Sequence, residues 1–383
     1  MNQRDEFLRD RLQPKAPGDR PSSRQAVPPR PAPPAQQPAP TPPAARAPGP
    51  PKPPPPPARD AAPPPEAPAP PTGAPQPAPP ALLPGRGWRR VVRLVTFDRV
   101  RPGPSAAQLQ ETRFETAIRA PLRGIYKVGV LGKGGVGKTS VAASVGSLLA
   151  EYRQDHVVAI DADTAFGRLS SRIDPRTNGS FWELAAGTNP RSFDDVVARL
   201  GRNQVGLHVL RGEPASGPRR VLDPAIYREA ALRLDRHFAI SVVDCGSTMD
   251  APLTREVLRD LDALIVVSSP WADGASAAAR TMEWLSDQGL TRLLQNSVVA
   301  LNDSDGHADK RTRAALAREF VEHGRPVVEV PFDPHLRPGG VIDVRREMAP
   351  ATRRKFLQIT AAITGYFAAR PDRGRKVPTD GDG

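Results

Sequence analysis

From residue 125 onward, apolar residues fall into short unbroken blocks separated by stretches with helical spacing. The first block is Ile125, Val128, Val130 and Leu131, and further blocks cover Val157–Ile160, Leu207–Leu210, Phe238–Val243, Ala263–Val267, Ser297–Leu301 and Val327–Val330. Apolar runs without polar alternation are what strands buried on both faces require. Between most of them, segments 223–236, 273–287 and 309–322 repeat apolar positions every three or four residues, and 350–368 does so again at the end. Strand and helix in alternation need right-handed crossovers. The fold class is therefore α/β, a mainly parallel sheet flanked by helices, in one domain over 124–368 with a loose polar tail at 369–383.

The N-terminal third has no such pattern. Residues 1–84 hold 31 of the 48 prolines and hardly any side chains able to build a core, so the pattern predicts a disordered Pro/Ala-rich arm of polyproline II character, suited to carrying a protein-binding tip. Residues 85–123 change character and read as a basic linker or collar. Trp88, Val91, Val92 and Val95 share a helical face opposite Arg89, Arg90 and Arg93. Two readings of 88–95 stand side by side: peripheral contact with a membrane surface or acidic partner, or a β-branched strand packed on the domain. Ser105-Ala106-Ala107-Gln108 then forms a capping box opening a helix with Leu109, Phe114 and Ile118, which ends near Pro121.

Charge follows the same division. The chain carries a net +13, of which +10 lies in residues 1–123 and +3 in the remainder. The lone Cys245 excludes an internal disulfide framework and a cysteine-rich metal or iron–sulfur site, and the six histidines lack ligand spacing. No run approaches the roughly 18 apolar residues of a transmembrane helix, and Met1-Asn2-Gln3-Arg4-Asp5-Glu6 lacks a signal-peptide core, so the expected compartment is the cytoplasm.

The chemistry sits behind the first apolar block. Gly132-Lys133-Gly134-Gly135-Val136-Gly137-Lys138-Thr139 fits G-x-x-x-x-G-K-[ST], and Val141, Val145, Leu148, Leu149 and Tyr152 continue it at helical spacing. Strand, glycine loop and helix in that order form a phosphate cradle: backbone N–H groups converge at the positive end of a helix dipole, where glycines leave room. Gly132 to Thr139, with Ser140 after them, are the expected nucleotide contacts. Lys138 reaches the β and γ phosphates and Thr139 coordinates Mg²⁺. Asp161 and Asp163 follow Val157–Ile160, and Asp244 follows Phe238–Val243, all at carboxyl ends of expected strands, where ligands of open parallel sheets gather. Asp244 has the hydrophobic-strand-then-Asp arrangement of a second Mg²⁺ ligand.

Lys133 carries the argument further. Only 8 of the 54 basic residues are lysine, yet both basic positions of the loop are. KGGVGKTS resembles the deviant P-loop of the MinD/ParA ATPases, whose first lysine reaches across a dimer interface to the partner's nucleotide. The resemblance implies ATP and Mg²⁺ as cofactors, an ATP-dependent homodimer, slow hydrolysis to ADP and phosphate, Lys133 and Asp163 as catalytic residues, and Asp161 near the metal. It also implies adenine-side contacts at Asn302, Pro331 and Asp333. The stretch Asp163-Thr164-Ala165-Phe166-Gly167 departs from the P-Q-G-N of plasmid-partition members. The arm, Gly87-Trp88-Arg89-Arg90 and Gly103-Pro104-Ser105 together resemble the EspI-like ATPases of type VII (ESX) secretion loci, which implies secretion machinery as a partner. Two alternatives stay open: an adaptor that scarcely hydrolyses ATP, and a ParA-like DNA-binding protein using Arg345-Arg346 and Arg353-Arg354-Lys355, which the small charge of the folded part does not favour.

Overall fold

Continuous apolar runs pair with one another because only a strand flanked by strands can hide both its faces and its backbone polar groups. In the computed structural model, residues 105–163, 167–177, 179–186, 189–212, 222–322 and 324–369 are described. The 1–84 arm, the Trp88–Val95 segment, residues 164–166 and the tail from 370 lie outside the described residues. Eight strands form one sheet: β1 Tyr126–Gly132, β2 Val157–Ala162, β3 Gly201–Arg202, β4 His208–Leu210, β5 Ile240–Cys245, β6 Ala263–Ser268, β7 Ser297–Asn302 and β8 Val327–Val330. Their order is β3-β4-β2-β5-β1-β6-β7-β8, which puts the strand leading into the glycine loop between β5 and β6. All neighbours pair in parallel except the two-residue edge strand β3 with β4.

The helices are α1 Ala106–Arg119, α2 Lys138–Tyr152, α3 Leu169–Ile173, α4 Phe181–Ala186, α5 Phe193–Val197, α6 Pro224–Leu234, α7 Pro252–Asp260, α8 Ala272–Asp287, α9 Thr291–Gln295, α10 Lys310–Glu322 and α11 Pro350–Ala368. They cover the sheet from both sides. On one side Val128, Val130 and Val242 pack with Val141, Leu148, Phe356 and Ile363; on the other Leu131, Ile160 and Val243 pack with Tyr227, Leu258 and Leu285. The order of the longer elements follows the sequence reading. The short helices α3, α4, α5 and α9 escape it because five or six residues barely complete a turn and leave no period to count. Strand β5 starts at Ile240 rather than at Phe238, whose ring sits among His156, His208 and Phe193 instead. Among the described residues no helix is long and apolar enough to cross a membrane.

Helix α1 shows how the segment before the sheet joins it. Ser105 Oγ accepts from Gln108 N at 3.2 Å and Gln108 Oε1 accepts from Ser105 N at 2.9 Å, completing the capping box. Ile118 is fully buried in the core and Phe114 packs against it, while Leu109, also read as part of this helix, stays 49% exposed. The helix ends where Arg153 Nη1 donates to the carbonyls of Ile118 (2.5 Å) and Ala120 (2.9 Å), satisfying groups no turn can reach. Replacing Ile118 by Ala leaves a cavity at this junction, and the expected cost is about 3 kcal/mol, read as a drop of roughly 6–10 °C in the melting transition.

The basic pairs raised as DNA contacts are largely committed here. Arg353 reaches Glu151 (3.1 Å) and the Tyr152 hydroxyl (2.9 Å), with Glu111 at 3.6 Å; Arg354 reaches Glu111 at 3.9 Å and Arg345 reaches Glu151 at 3.0 Å. Arg353 therefore fastens α11 to α1 and α2, and these charges are offset within the chain.

Candidate functional site

The loop after β1 must turn the chain sharply and still face its amides outward. Gly135 (φ 85°) and Gly137 (φ 93°) take left-handed conformations that side chains resist, and Gly137 caps α2. A Cβ at Gly137 would stand 2.5 Å from the Asn302 amide nitrogen, and one at Gly132 would stand 2.3 Å from the Val267 carbonyl oxygen. Around Gly134 and Gly135, by contrast, a Cβ would meet nothing within 4 Å: the tight side of the loop faces the protein and the open side faces solvent. Val136 is buried beneath, and its carbonyl accepts from Asn302 Nδ2 at 2.9 Å. The cradle is thus braced by β7, and Asn302, expected on the adenine side, holds the loop from below.

The two lysines of the loop differ sharply. Lys138 is 7% exposed, its ammonium donates to the Lys133 carbonyl at 3.2 Å, and among the described residues no carboxylate lies at ion-pair distance. Lys133 is exposed and turns outward, its Nζ 2.6 Å from Asp273 Oδ2 in the first turn of α8. That hydrogen bond holds the Asp273 carboxyl below its usual range. In a single chain, therefore, Lys133 does not approach its own cradle.

Beside the loop, β2 and β5 end in carboxylates. The parallel register places Asp161 opposite Asp244, and Val130 opposite Asp244 on the other side. Both acids are 1% exposed, and burial pushes both carboxyls well above their usual pKa, Asp161 further through the nearby Asp244 charge. Their hydrogen bonding separates them. Asp161 Oδ2 accepts from Leu169 N (3.0 Å) and Oδ1 from Asp163 N (3.3 Å), so its oxygens organise the turn leaving β2. Neither oxygen of Asp244 accepts a hydrogen bond of good geometry, although the Thr139 hydroxyl lies close enough to interact with it and, with the Lys138 charge, opposes the upward shift. Asp163 is half-buried against the turn after β5, where a Cβ on Gly246 would lie 3.5 Å from its Oδ1.

A buried carboxylate with both oxygens unpaired is expensive unless something binds it. Among the described residues no three carboxylate, imidazole or thiol groups converge to hold a metal by themselves. One free carboxylate beside one hydroxyl suits Mg²⁺, which keeps waters and phosphate oxygens in its shell. These residues fit that cation with Asp244 and Thr139 as ligands. Asp244→Asn removes the buried charge, so the nucleotide-free protein is expected to melt a few degrees higher while the Mg²⁺ dependence of nucleotide binding weakens. Differential scanning fluorimetry with and without Mg²⁺ checks both halves.

A cavity of about 300 Å³ opens beside the cradle, lined by Gly135, Gly137, Ser140, Asn302, Pro331 and Asp333 together with Arg172, Asp303 and Arg337. Pro331 forms wall. Asp333 is buried, and its carboxylate accepts from His335 N (3.0 Å) and Ala349 N (2.9 Å), which shapes the 333–349 loop. Ser140 Oγ accepts from Arg172 Nη2 at 2.5 Å. Sequence reasoning missed Asp273 and Arg172, because each meets its partner only through the tertiary fold and neither sits in a motif.

Comparison with known proteins agrees with this geometry. Residues 129–339 match the CobQ/CobB/MinD/ParA nucleotide binding domain family. The ESX-1 secretion-associated protein EspI of Mycobacterium tuberculosis is 32% identical over 285 residues, covering 74% of this chain and 42% of that protein, so the chain spans less than half the length of its curated relative. Among solved structures, the MinC:MinD cell division complex of Aquifex aeolicus is 18% identical, covering 64% of this chain and 96% of that chain with a TM-score of 0.48. MinD of Pyrococcus furiosus is 19% identical, covering 63% and 98% with a TM-score of 0.48. With the glycine cradle, its lysines and the paired strand-end acids all inside the matched segment, this chain belongs to the CobQ/CobB/MinD/ParA family of nucleotide-binding proteins.

Proposed function

We propose that the protein is an ATP-binding and ATP-hydrolysing dimerisation switch acting in a secretion-associated setting. The observation that carries the reading is Asp244: a buried, hydrogen-bond-free carboxylate set beside the Thr139 hydroxyl and Lys138 ammonium of a glycine cradle. The open amide side at Gly134 and Gly135 receives phosphates, and Lys138 supplies the charge they need. Asp244 and Thr139 would hold Mg²⁺, which would supply charge offsetting that of the phosphate oxygens. Asp163 orients a water toward the γ-phosphorus; the new P–O bond forms as the bond to the bridging oxygen breaks, and ADP and phosphate leave. Lys133 leaves Asp273 and crosses to the nucleotide of a second copy, as the family resemblance implies. The secretion setting rests on the similarity to EspI, and the Pro/Ala-rich composition of residues 1–84 suits a partner-binding arm.

Phosphate release, measured beside light scattering in ATP and in ADP, tests the switch. Turnover together with an ATP-dependent doubling of mass is the expected result. Tight ATP binding with no phosphate release and no change of mass would make the protein a nucleotide-stabilised adaptor. Anionic vesicle and duplex DNA binding, run in the same buffers, test the membrane and DNA alternatives.

A further inference from the structure

A buried guanidinium ordinarily has a carboxylate beside it, since taking its charge out of water costs several kcal/mol that neutral acceptors only partly offset. Arg172 has none. It is 8% exposed, and its hydrogen bonds go to the Ser140 hydroxyl (2.5 Å), the Leu336 carbonyl (2.7 Å) and the Gly340 carbonyl (3.1 Å). Among the described residues no carboxylate lies at ion-pair distance from it. The acids nearest in the cavity are occupied: Asp333 by the amides of His335 and Ala349, Asp303 by Arg313 (3.2 Å) and the Gly306 amide (2.8 Å). The other buried arginine among the described residues does find an acid: Arg233 reaches Glu229 at 3.0 Å.

The position of this unmatched charge says what completes it. Arg172 lines the same cavity as Gly135 and Gly137 of the cradle, and it is bonded to Ser140, the residue that follows Thr139. The amides of such a loop receive the α and β phosphates, with the lysine of the motif, here Lys138, beyond them toward the γ position. We propose that Arg172 is a nucleotide-contact residue whose guanidinium binds the α-phosphate of a nucleoside di- or triphosphate and so selects for the phosphorylated nucleoside. The arginine belongs to α3, eleven residues past Asp161 and nine past Asp163, and its carbonyl accepts from Ile342 N at 2.9 Å. The helix that follows the strand-end acids is thereby tied both to Ser140 in the first turn after the phosphate loop and to the 336–342 segment, whose Leu336 and Arg337 line the cavity. The bland reading is a pin that joins these three segments through neutral hydrogen bonds.

The inference rests on the nucleotide reading above, and the test separates the two. Mg·ADP is titrated calorimetrically into the full chain, its Arg172→Gln variant and its Arg172→Lys variant at low and high salt, with melting of the nucleotide-free proteins alongside. Arg172→Gln keeps polar reach and removes charge. Expected is an affinity for ADP about 10- to 100-fold weaker with a nucleotide-free transition no lower than wild type, part of the affinity returning in Arg172→Lys, and a shallower salt dependence in Arg172→Gln. An Arg172→Gln protein that binds ADP within threefold of wild type, or that fails to fold or melts far lower without nucleotide, overturns the assignment in favour of the pin. Equal losses in both variants with both transitions lowered do the same. A wild-type chain that binds no ADP sinks the nucleotide reading itself.

Discussion

Lys138→Ala is expected to abolish measurable ATP binding, whereas Lys133→Ala is expected to bind ATP within a few-fold of wild type and to lose both ATP-dependent dimerisation and most hydrolysis. The two lysines lie five residues apart in one loop, but their surroundings differ. Lys138 is buried with its ammonium on a loop carbonyl and no carboxylate at ion-pair distance among the described residues, so its charge is available to phosphate. Removing it leaves phosphate charge uncompensated where water is scarce, an expected loss of about a hundredfold or more in affinity. Lys133 is 49% exposed and bonded to Asp273, outside the cavity walls. Its removal leaves the walls intact. As a charge supplied in trans it acts only in the closed dimer, and the expected fall in turnover is on the order of a thousandfold, the range of other charges donated across an interface. Exposed ion pairs are weak and screened by salt, so the Lys133–Asp273 contact opposes the crossing only slightly. Calorimetry beside light scattering and phosphate release reads each effect separately; equal loss of binding in the two variants would remove the trans role.

The residues of the cradle were legible in the sequence because phosphate chemistry fixes residue types over a short contiguous stretch, and the apolar blocks Ile125–Leu131 and Phe238–Val243 mark strands observed at Tyr126–Gly132 and Ile240–Cys245. Asp161 and Asp244 were found by the same logic, yet nothing local separates the acid that organises a turn from the acid left unpaired; that distinction needs Leu169 N and Asp163 N in place. Contacts made across the fold were not legible. Asn302 braces Val136 from 166 positions away, and Asp273 meets Lys133 from 140. Arginines are ambiguous in sequence for a related reason. Arg353, one of the charges that left a DNA reading open without favouring it, ties α11 to α1 and α2, while Arg172 drew no notice and lines the cavity.

Asp163→Ala is expected to bind Mg·ATP nearly as wild type, to hydrolyse it on the order of a hundred- to ten-thousandfold more slowly, and to accumulate as the ATP-bound dimer. Asp163 is half-buried at the carboxyl end of β2, close to Gly246 in the turn after β5, and its own amide donates to Asp161 Oδ1 at 3.3 Å. Its side chain is absent from the walls of the cavity that holds Asn302 and Arg172, so its loss removes little ground-state binding. What it removes is the carboxylate that aligns water with the γ-phosphorus, an interaction made only as the reaction proceeds. With hydrolysis opening the dimer, as proposed, the variant is expected to stop in the closed state, and a dimer persisting in ATP for hours with unchanged affinity is its signature. Asp244→Asn differs, because it weakens the Mg²⁺ dependence of binding itself. Wild-type turnover in Asp163→Ala would assign water alignment to another group, whereas a parallel loss of binding would make Asp163 a second support of the phosphate site.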